Sequence, residues 1–257
     1  VYETIKYEIR KSVAWITLNR PEKLNAFTEQ VNREVQQSIK KANKDPEVRC
    51  LVITGEGRAF CSGQDLDGVL EDMNHGEVLR KHYNPMVLEL YKCEKPVIAA
   101  VNGVAAGAGM SLALACDFRL LSEKASFIEA FIHVGLVPDA GNLYYLPKLI
   151  GYAKALELAV LGDKISAHDA ENLGLATKVI PLERWTEEVA LFAERLASMP
   201  TVAIGLIKKN LKSSWNLTLE ESLEKDAQAQ RIAGLTSDHI EGVKSFMEKR
   251  KPVFLGK

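Results

Sequence analysis

Apolar and polar positions change period several times along this chain, and each change marks an element. Ile5-Lys-Tyr-Glu-Ile9 alternates and Val13-Ala-Trp-Ile-Thr-Leu18 runs apolar with β-branched residues, which predicts two strands joined as a hairpin around Arg10-Lys11-Ser12. Thr28 is placed to cap a helix from Glu29 to about Asn43, with Val31, Val35, Ile39 and Ala42 on one stripe. Cys50–Thr54 and Val97–Val101 read as buried strands, and Phe118–Leu121 and Ser126–Ile128 as shorter ones. Between them, residues 74–93 are helical in pattern, with Pro85 predicted to kink or break the helix. Met110–Ala115 is short, apolar and preceded by glycine, which fits a buried helix.

After Pro147 the helical period dominates. Helices are predicted over 153–161, 167–173, 185–199, 202–211, 219–234 and 237–250, with few strand signals among them. The pattern is an α/β part over residues 1–200, followed by a helical C-terminal region over 201–257.

Composition narrows the functional classes. The 257 residues are 47% hydrophobic and 26% charged with a net charge of -1, so nothing favours nucleic acid or an anionic membrane surface as partner. No apolar run reaches the roughly 18 residues of a spanning helix. The opening Val-Tyr-Glu-Thr lacks a signal-peptide pattern, and Cys50, Cys61, Cys93 and Cys116 lie far apart, as reduced buried thiols of a cytoplasmic protein would. The histidines show no ligand spacing, so no metal is expected. Gly109-Met-Ser-Leu-Ala113 fails the last position of a serine-hydrolase elbow.

Two features carry chemistry. Asp139 lies in Gly135-Leu-Val-Pro-Asp-Ala-Gly141, where apolar neighbours give its carboxylate little water; such an acid has a raised pKa and suits proton transfer. The same aspartate could instead cap a helix starting near Leu143. Second, Gly57–Asp65 and Gly103–Gly109 are glycine-bearing turns after strands. Such turns expose backbone N–H groups that bind phosphate or hold the oxygen of a polarised carbonyl; they also permit tight packing. The second lacks the third glycine of a dinucleotide fingerprint.

The ordered segments Leu18–Ala26, Arg58–Leu66, Lys95–Gly103, Cys116-Asp117, Glu123–Phe127, Gly135–Gly141 and Glu241 to Pro252 together resemble the crotonase, or enoyl-CoA hydratase/isomerase, superfamily over essentially the whole chain. The resemblance implies a spiral of ββα turns with a helical C-terminal trimerisation region, assembling as a trimer or hexamer. It also implies an acyl-CoA thioester substrate and no separate cofactor. It assigns the oxyanion hole to the N–H groups of Gln64 and Ala108. Lys23, Leu24, Ala26, Ser62, Asp65 and Leu66 are assigned to the CoA tail, and Lys249 to CoA phosphates of a neighbouring subunit, unless Lys249 is simply a solvated lysine.

Within that family the acids distinguish reactions. Ser111 and Phe131 stand where the resemblance places the two glutamates of hydratases, which disfavours hydration. Asn84 and Leu88 stand where aryl-CoA dehalogenases carry a histidine base. What remains is Asp139 alone. Its segment is similar to that of ring-1,2-epoxyphenylacetyl-CoA isomerases of phenylacetate catabolism, and some Δ3,Δ2-enoyl-CoA isomerases place a glutamate there. One carboxylate suffices to take a proton α to a thioester and return it elsewhere. The leading expectation is therefore an acyl-CoA isomerase; an enoyl-CoA hydratase of fatty-acid oxidation and a non-catalytic binding module are the alternatives. Phe131, Ile132, Leu136, Tyr144 and Tyr145 are expected in an acyl pocket, and Glu129 is read as a surface charge.

Overall fold

A computed structural model describes residues 2–68 and 73–257. The hairpin is present as β1 (Ile5–Arg10) and β2 (Val13–Leu18), and α1 (Glu29–Lys44) follows. The Thr28 side chain accepts from Val31 N at 3.3 Å, closing the first turn of α1.

The chain then repeats one unit. β3 (Cys50–Gly55) and β4 (Ala59–Cys61) are followed by α2 (His75–Val78) and α3 (Asn84–Lys92). β5 (Val97–Val101) and β6 (Val104–Ala106) are followed by α4 (Ala108–Ala115), and β7 (Phe118–Ser122) and β8 (Ser126–Ile128) by α5 (Asn142–Ile150). In each unit the first strand joins a large sheet and the second a smaller one. The remaining elements are α6 (Tyr152–Leu161), β9 (Lys164–Ser166), α7 (Ala167–Asn172), β10 (Lys178–Ile180), α8 (Trp185–Ala197), α9 (Thr201–Ser214), α10 (Leu219–Gly234) and α11 (Ser237–Met247). The sheets run β1-β2-β3-β5-β7-β10 and β4-β6-β8-β9, with β3, β5 and β7 parallel in one and β4, β6 and β8 parallel in the other. This is the spiral of ββα turns expected from the sequence.

Both faces of the large sheet are buried, which explains its near-continuous apolar runs. Leu51, Ile53, Val97 and Ala99 face the main core with α1 and α4. Cys50, Val52, Ile98 and Ala100 point the other way, under Val189, Ala193 and Leu196 of α8. All four cysteines are buried and free.

Three expectations needed revision. The helix over 74–93 is interrupted by a wide π turn, Leu79–Tyr83, just before Pro85, whose missing N–H falls in the first turn of α3. β4, β6, β9 and β10 carry only three residues each, too short to register as a period. Asp139 does not cap α5 with its side chain. Gly141 is the N-cap, and the Asp139 carbonyl accepts from Asn142 N at 2.9 Å. The backbone enters α5 through left-handed conformations at Ala140 and Gly141, which leaves the Asp139 carboxyl aimed elsewhere.

The helices from 201 onward sit beside this core. Lys208 Nζ lies 2.6 Å from Asp117, and Arg49 donates to Thr201 Oγ1 at 3.0 Å and to the Phe254 carbonyl at 2.7 Å. No residue of α9 or α10 is fully buried. Leu211, Trp215, Leu219 and Phe246 are 63%, 65%, 75% and 85% exposed, leaving extended apolar faces without cover in the single chain.

Candidate active site

The two glycine-bearing turns meet. A Cβ on Gly63 would lie 3.0 Å from the Ala106 carbonyl and 3.6 Å from Ala108 N, so the turn after β4 packs directly on the turn that opens α4. Gly109 makes that approach possible, since a Cβ there would come within 2.2 Å of the Cys61 carbonyl oxygen. α4 thus starts against β4, with its first-turn amides unpaired within the helix.

The loop before α1 holds the other turn in place. Asn25, in a left-handed conformation, accepts from Arg20 N at 2.9 Å and donates to the Ala59 carbonyl at 2.9 Å. Ser62 N donates to the Leu24 carbonyl, Phe27 N to that of Gly63, and Asp65 N to that of Phe27. This short parallel pairing turns the Gln64 N–H away from the loop. Among the described residues, neither Gln64 N nor Ala108 N finds a hydrogen-bond acceptor.

Both residues line a cavity of about 480 Å³. Ser62, Leu66, Phe131, Leu136 and Asp139 line it too, so seven residues expected from the sequence at the site (Ser62, Gln64, Leu66, Ala108, Phe131, Leu136 and Asp139) converge there. Leu66 and Val137, 68% and 74% exposed, stand at its mouth. Lys23, Leu24, Ala26 and Asp65 belong instead to the supporting loop. The Asp65 carboxylate is bound by Arg20 at 2.8 Å, which holds it below the usual carboxylate range, and Lys23 pairs with Asp67. Lys249 is exposed just beyond α11 and does not line the cavity. Nor do Ile132, Tyr144 and Tyr145: the Tyr144 ring packs edge-on to Tyr145 and Tyr91, and Ile132 lies against Gly162.

Asp139 faces this cavity with one carboxylate oxygen, Oδ1, buried and without a hydrogen-bond partner among the described residues. Burial alone raises its pKa to about 6. Such a group is mostly ionised at neutral pH yet readily takes up a proton.

Glu129 is not a surface charge. It is fully buried, and its Oε1 accepts from Asn142 Nδ2 at 2.8 Å. Burial raises its pKa to about 7, the Asn142 bond offsets part of that, and the charge of Asp139 adds to it. The misreading has a physical source. Glu129 follows β8 at an i+2 position from buried Phe127, so the period of two already put it on the inward face. Tyr83 was also missed as a cavity residue; its hydroxyl donates to the Gln64 side-chain oxygen.

Comparison with known proteins places the chain in a family. The model of the family "Enoyl-CoA hydratase/isomerase" matches residues 8–257. The chain is similar to 1,2-epoxyphenylacetyl-CoA isomerase of Escherichia coli K12, at 41% identity over 99% of this chain and 99% of that protein. It is equally similar, at 41% identity, to a "Probable enoyl-CoA hydratase" of Rhodobacter capsulatus, over 100% of this chain and 99% of that one. Among solved structures, enoyl-CoA hydratase from Bacillus anthracis superposes with a TM-score of 0.93 at 33% identity, over 99% of this chain and 100% of that one.

Proposed function

This chain belongs to the enoyl-CoA hydratase/isomerase family, and within it we propose that it is an acyl-CoA isomerase using Asp139 as its single acid and base. Overall similarity does not choose between isomerase and hydratase, because relatives of both descriptions are 41% identical. The observation that carries the choice is the cavity wall, where among the described residues Asp139 is the one carboxyl, lining the same cavity as the two unpaired amides.

In this reading the thioester oxygen sits on the N–H groups of Gln64 and Ala108. Ionised Asp139 takes a proton from the carbon α to the carbonyl, and the electron pair moves onto the oxygen as an enolate. Each well-placed amide lowers the barrier by about 3–4 kcal/mol. The protonated carboxyl then returns the proton at the γ carbon, the far end of the original double bond, as the enolate collapses to the conjugated 2-enoyl thioester, so no net proton or water is consumed. The same enolate in a ring-epoxide thioester would drive ring expansion. The apolar lining by Phe131, Leu136 and Val137 suits a hydrophobic acyl group, either a 3-enoyl chain or an aromatic-derived ring. Hydration would need a second group to handle water; Ser111 and Phe131 do not supply one, and Glu129 lies outside the cavity lining.

The uncovered apolar faces of α9 to α11 fit a trimer or hexamer, in which Lys249 would approach the CoA phosphates bound to a neighbour. Product analysis with 3-enoyl-, 2-enoyl- and ring-epoxide-CoA thioesters tests the activity. Isomerisation without water addition is the expected outcome. Crotonyl-CoA hydration with a kcat above roughly 10 per second would overturn the assignment.

A further inference from the structure

Behind the cavity lies a chain of buried polar groups that the isomerase reading does not use. Glu129, Asn142 and Ser111 are all 0% exposed, and among the described residues Glu129 has no cationic partner. Asn142 Nδ2 donates to Glu129 Oε1 at 2.8 Å and lies 3.3 Å from Ser111 Oγ. Ser111 Oγ in turn lies 3.2 Å from the Gly107 carbonyl oxygen. The direction of these bonds is set by their ends. A carboxylate only accepts, so Asn142 must present its NH₂ to it. That NH₂ also donates to Ser111 Oγ, so the serine proton is left to point at Gly107.

The Gly107 carbonyl and the Ala108 N–H are the two ends of one peptide group. A donor on the carbonyl polarises that group and makes its N–H a stronger donor. We propose that Glu129, Asn142 and Ser111 form a buried positioning relay that orients and polarises the Gly107–Ala108 peptide, tuning the amide that holds the substrate thioester oxygen. The proposal rests on the oxyanion role of Ala108. Ser111 Oγ bonds back one turn in its own helix, onto the N-cap carbonyl that also accepts from Ser111 N at 3.0 Å; the proposal gives that bond a function and accounts for three polar residues buried in one place. Unsatisfied groups of this kind are costly in a core, so an apolar set would pack more stably if nothing depended on them.

The size of the effect follows from two magnitudes. One oxyanion donor contributes about 10² to 10³ in kcat, and a neighbouring bond strengthens another by about 10–30%. Loss of the relay should therefore lower kcat about 2- to 8-fold, with KM nearly unchanged.

The test uses the full-length protein with hexanoyl-CoA carrying ¹³C at the thioester carbonyl, a ligand with no double bond to move. Its carbonyl stretch is read by isotope-edited infrared spectroscopy, free and bound, beside kcat and KM on a 3-enoyl-CoA. In the wild type the bound stretch should fall below that of free ligand. Ser111→Ala and Asn142→Leu should each move it part-way back and lower kcat by the stated factor. Ser111→Cys, nearly isosteric with a weaker donor, should lie between. Melting temperatures identify any variant that fails to fold, and Ser111→Cys, the mildest change, then carries the test. If the wild type shows no fall on binding, the oxyanion reading itself is wrong. If the wild type shifts and the folded variants shift equally, the relay alone is overturned.

Discussion

Replacing Asp139 by asparagine should make the protein more stable and nearly inactive, and the two effects come from the same burial. The carboxyl pKa is raised from 3.8 to about 6, so the fold penalises its charged form. Below about pH 3 the group is protonated in folded and unfolded chains alike, and no penalty exists. As pH rises, the unfolded chain ionises first, so wild-type stability falls through about pH 6 and then levels. At 1.36 kcal/mol per pH unit the rise corresponds to about 3 kcal/mol, and partial exposure of the side chain cuts this to about 1.5. Asparagine keeps the shape without the charge. For a chain of this size each kcal/mol moves the melting temperature by about 2–4 °C, so Asp139→Asn should melt roughly 3–6 °C higher at pH 8. At pH 3 it should melt like the wild type. Removal of the proposed base should lower kcat by about 10²- to 10⁴-fold while CoA-ester binding is nearly kept. Differential scanning fluorimetry at both pH values and a 3-enoyl-CoA isomerisation assay on the same preparation measure both. A capping aspartate would give the opposite stability sign, with turnover intact. Either a lower melting temperature at pH 8 or near-normal turnover would refute the reasoning.

Three further outcomes are expected. Glu129→Gln should gain stability over the wild type as pH rises from 5 to 8.5, by up to about 3 kcal/mol, because this fully buried acid has a pKa raised from 4.5 to about 7; a difference in urea midpoint that does not change with pH would contradict this. Gly109→Ala should cost about 3 kcal/mol or more and reduce soluble yield, since the added methyl would meet the Cys61 carbonyl at 2.2 Å; a wild-type melt would show that α4 can move off β4. Light scattering at micromolar concentration should give three or six times 28.5 kDa, and a monomer would remove both the assembly and the role proposed for Lys249.

Much of the large sheet was legible in the sequence because its strands are five or six residues long and apolar on both faces, a pattern that survives without knowing their neighbours. The three-residue strands β4 and β6 were not, because they lie inside the glycine-bearing stretches Gly57–Asp65 and Gly103–Gly109 that read as turns, whereas the equally short β8 stands outside one. The glycines marked where two turns could meet, and Asp139 was conspicuous as an acid among apolar neighbours. Its role as base or cap could not be read locally, since either depends on backbone angles at Ala140 and Gly141 that only the packed loop sets. The buried relay was a matter of tertiary structure altogether. Glu129, Asn142 and Ser111 are 13 and 31 residues apart along the chain, on three elements. The period of two hinted that Glu129 points inward, but nothing local said what it would meet there. Folding brings them together out of water, and the loss of solvent is what turns a glutamate, an amide and a hydroxyl into one directed set of hydrogen bonds.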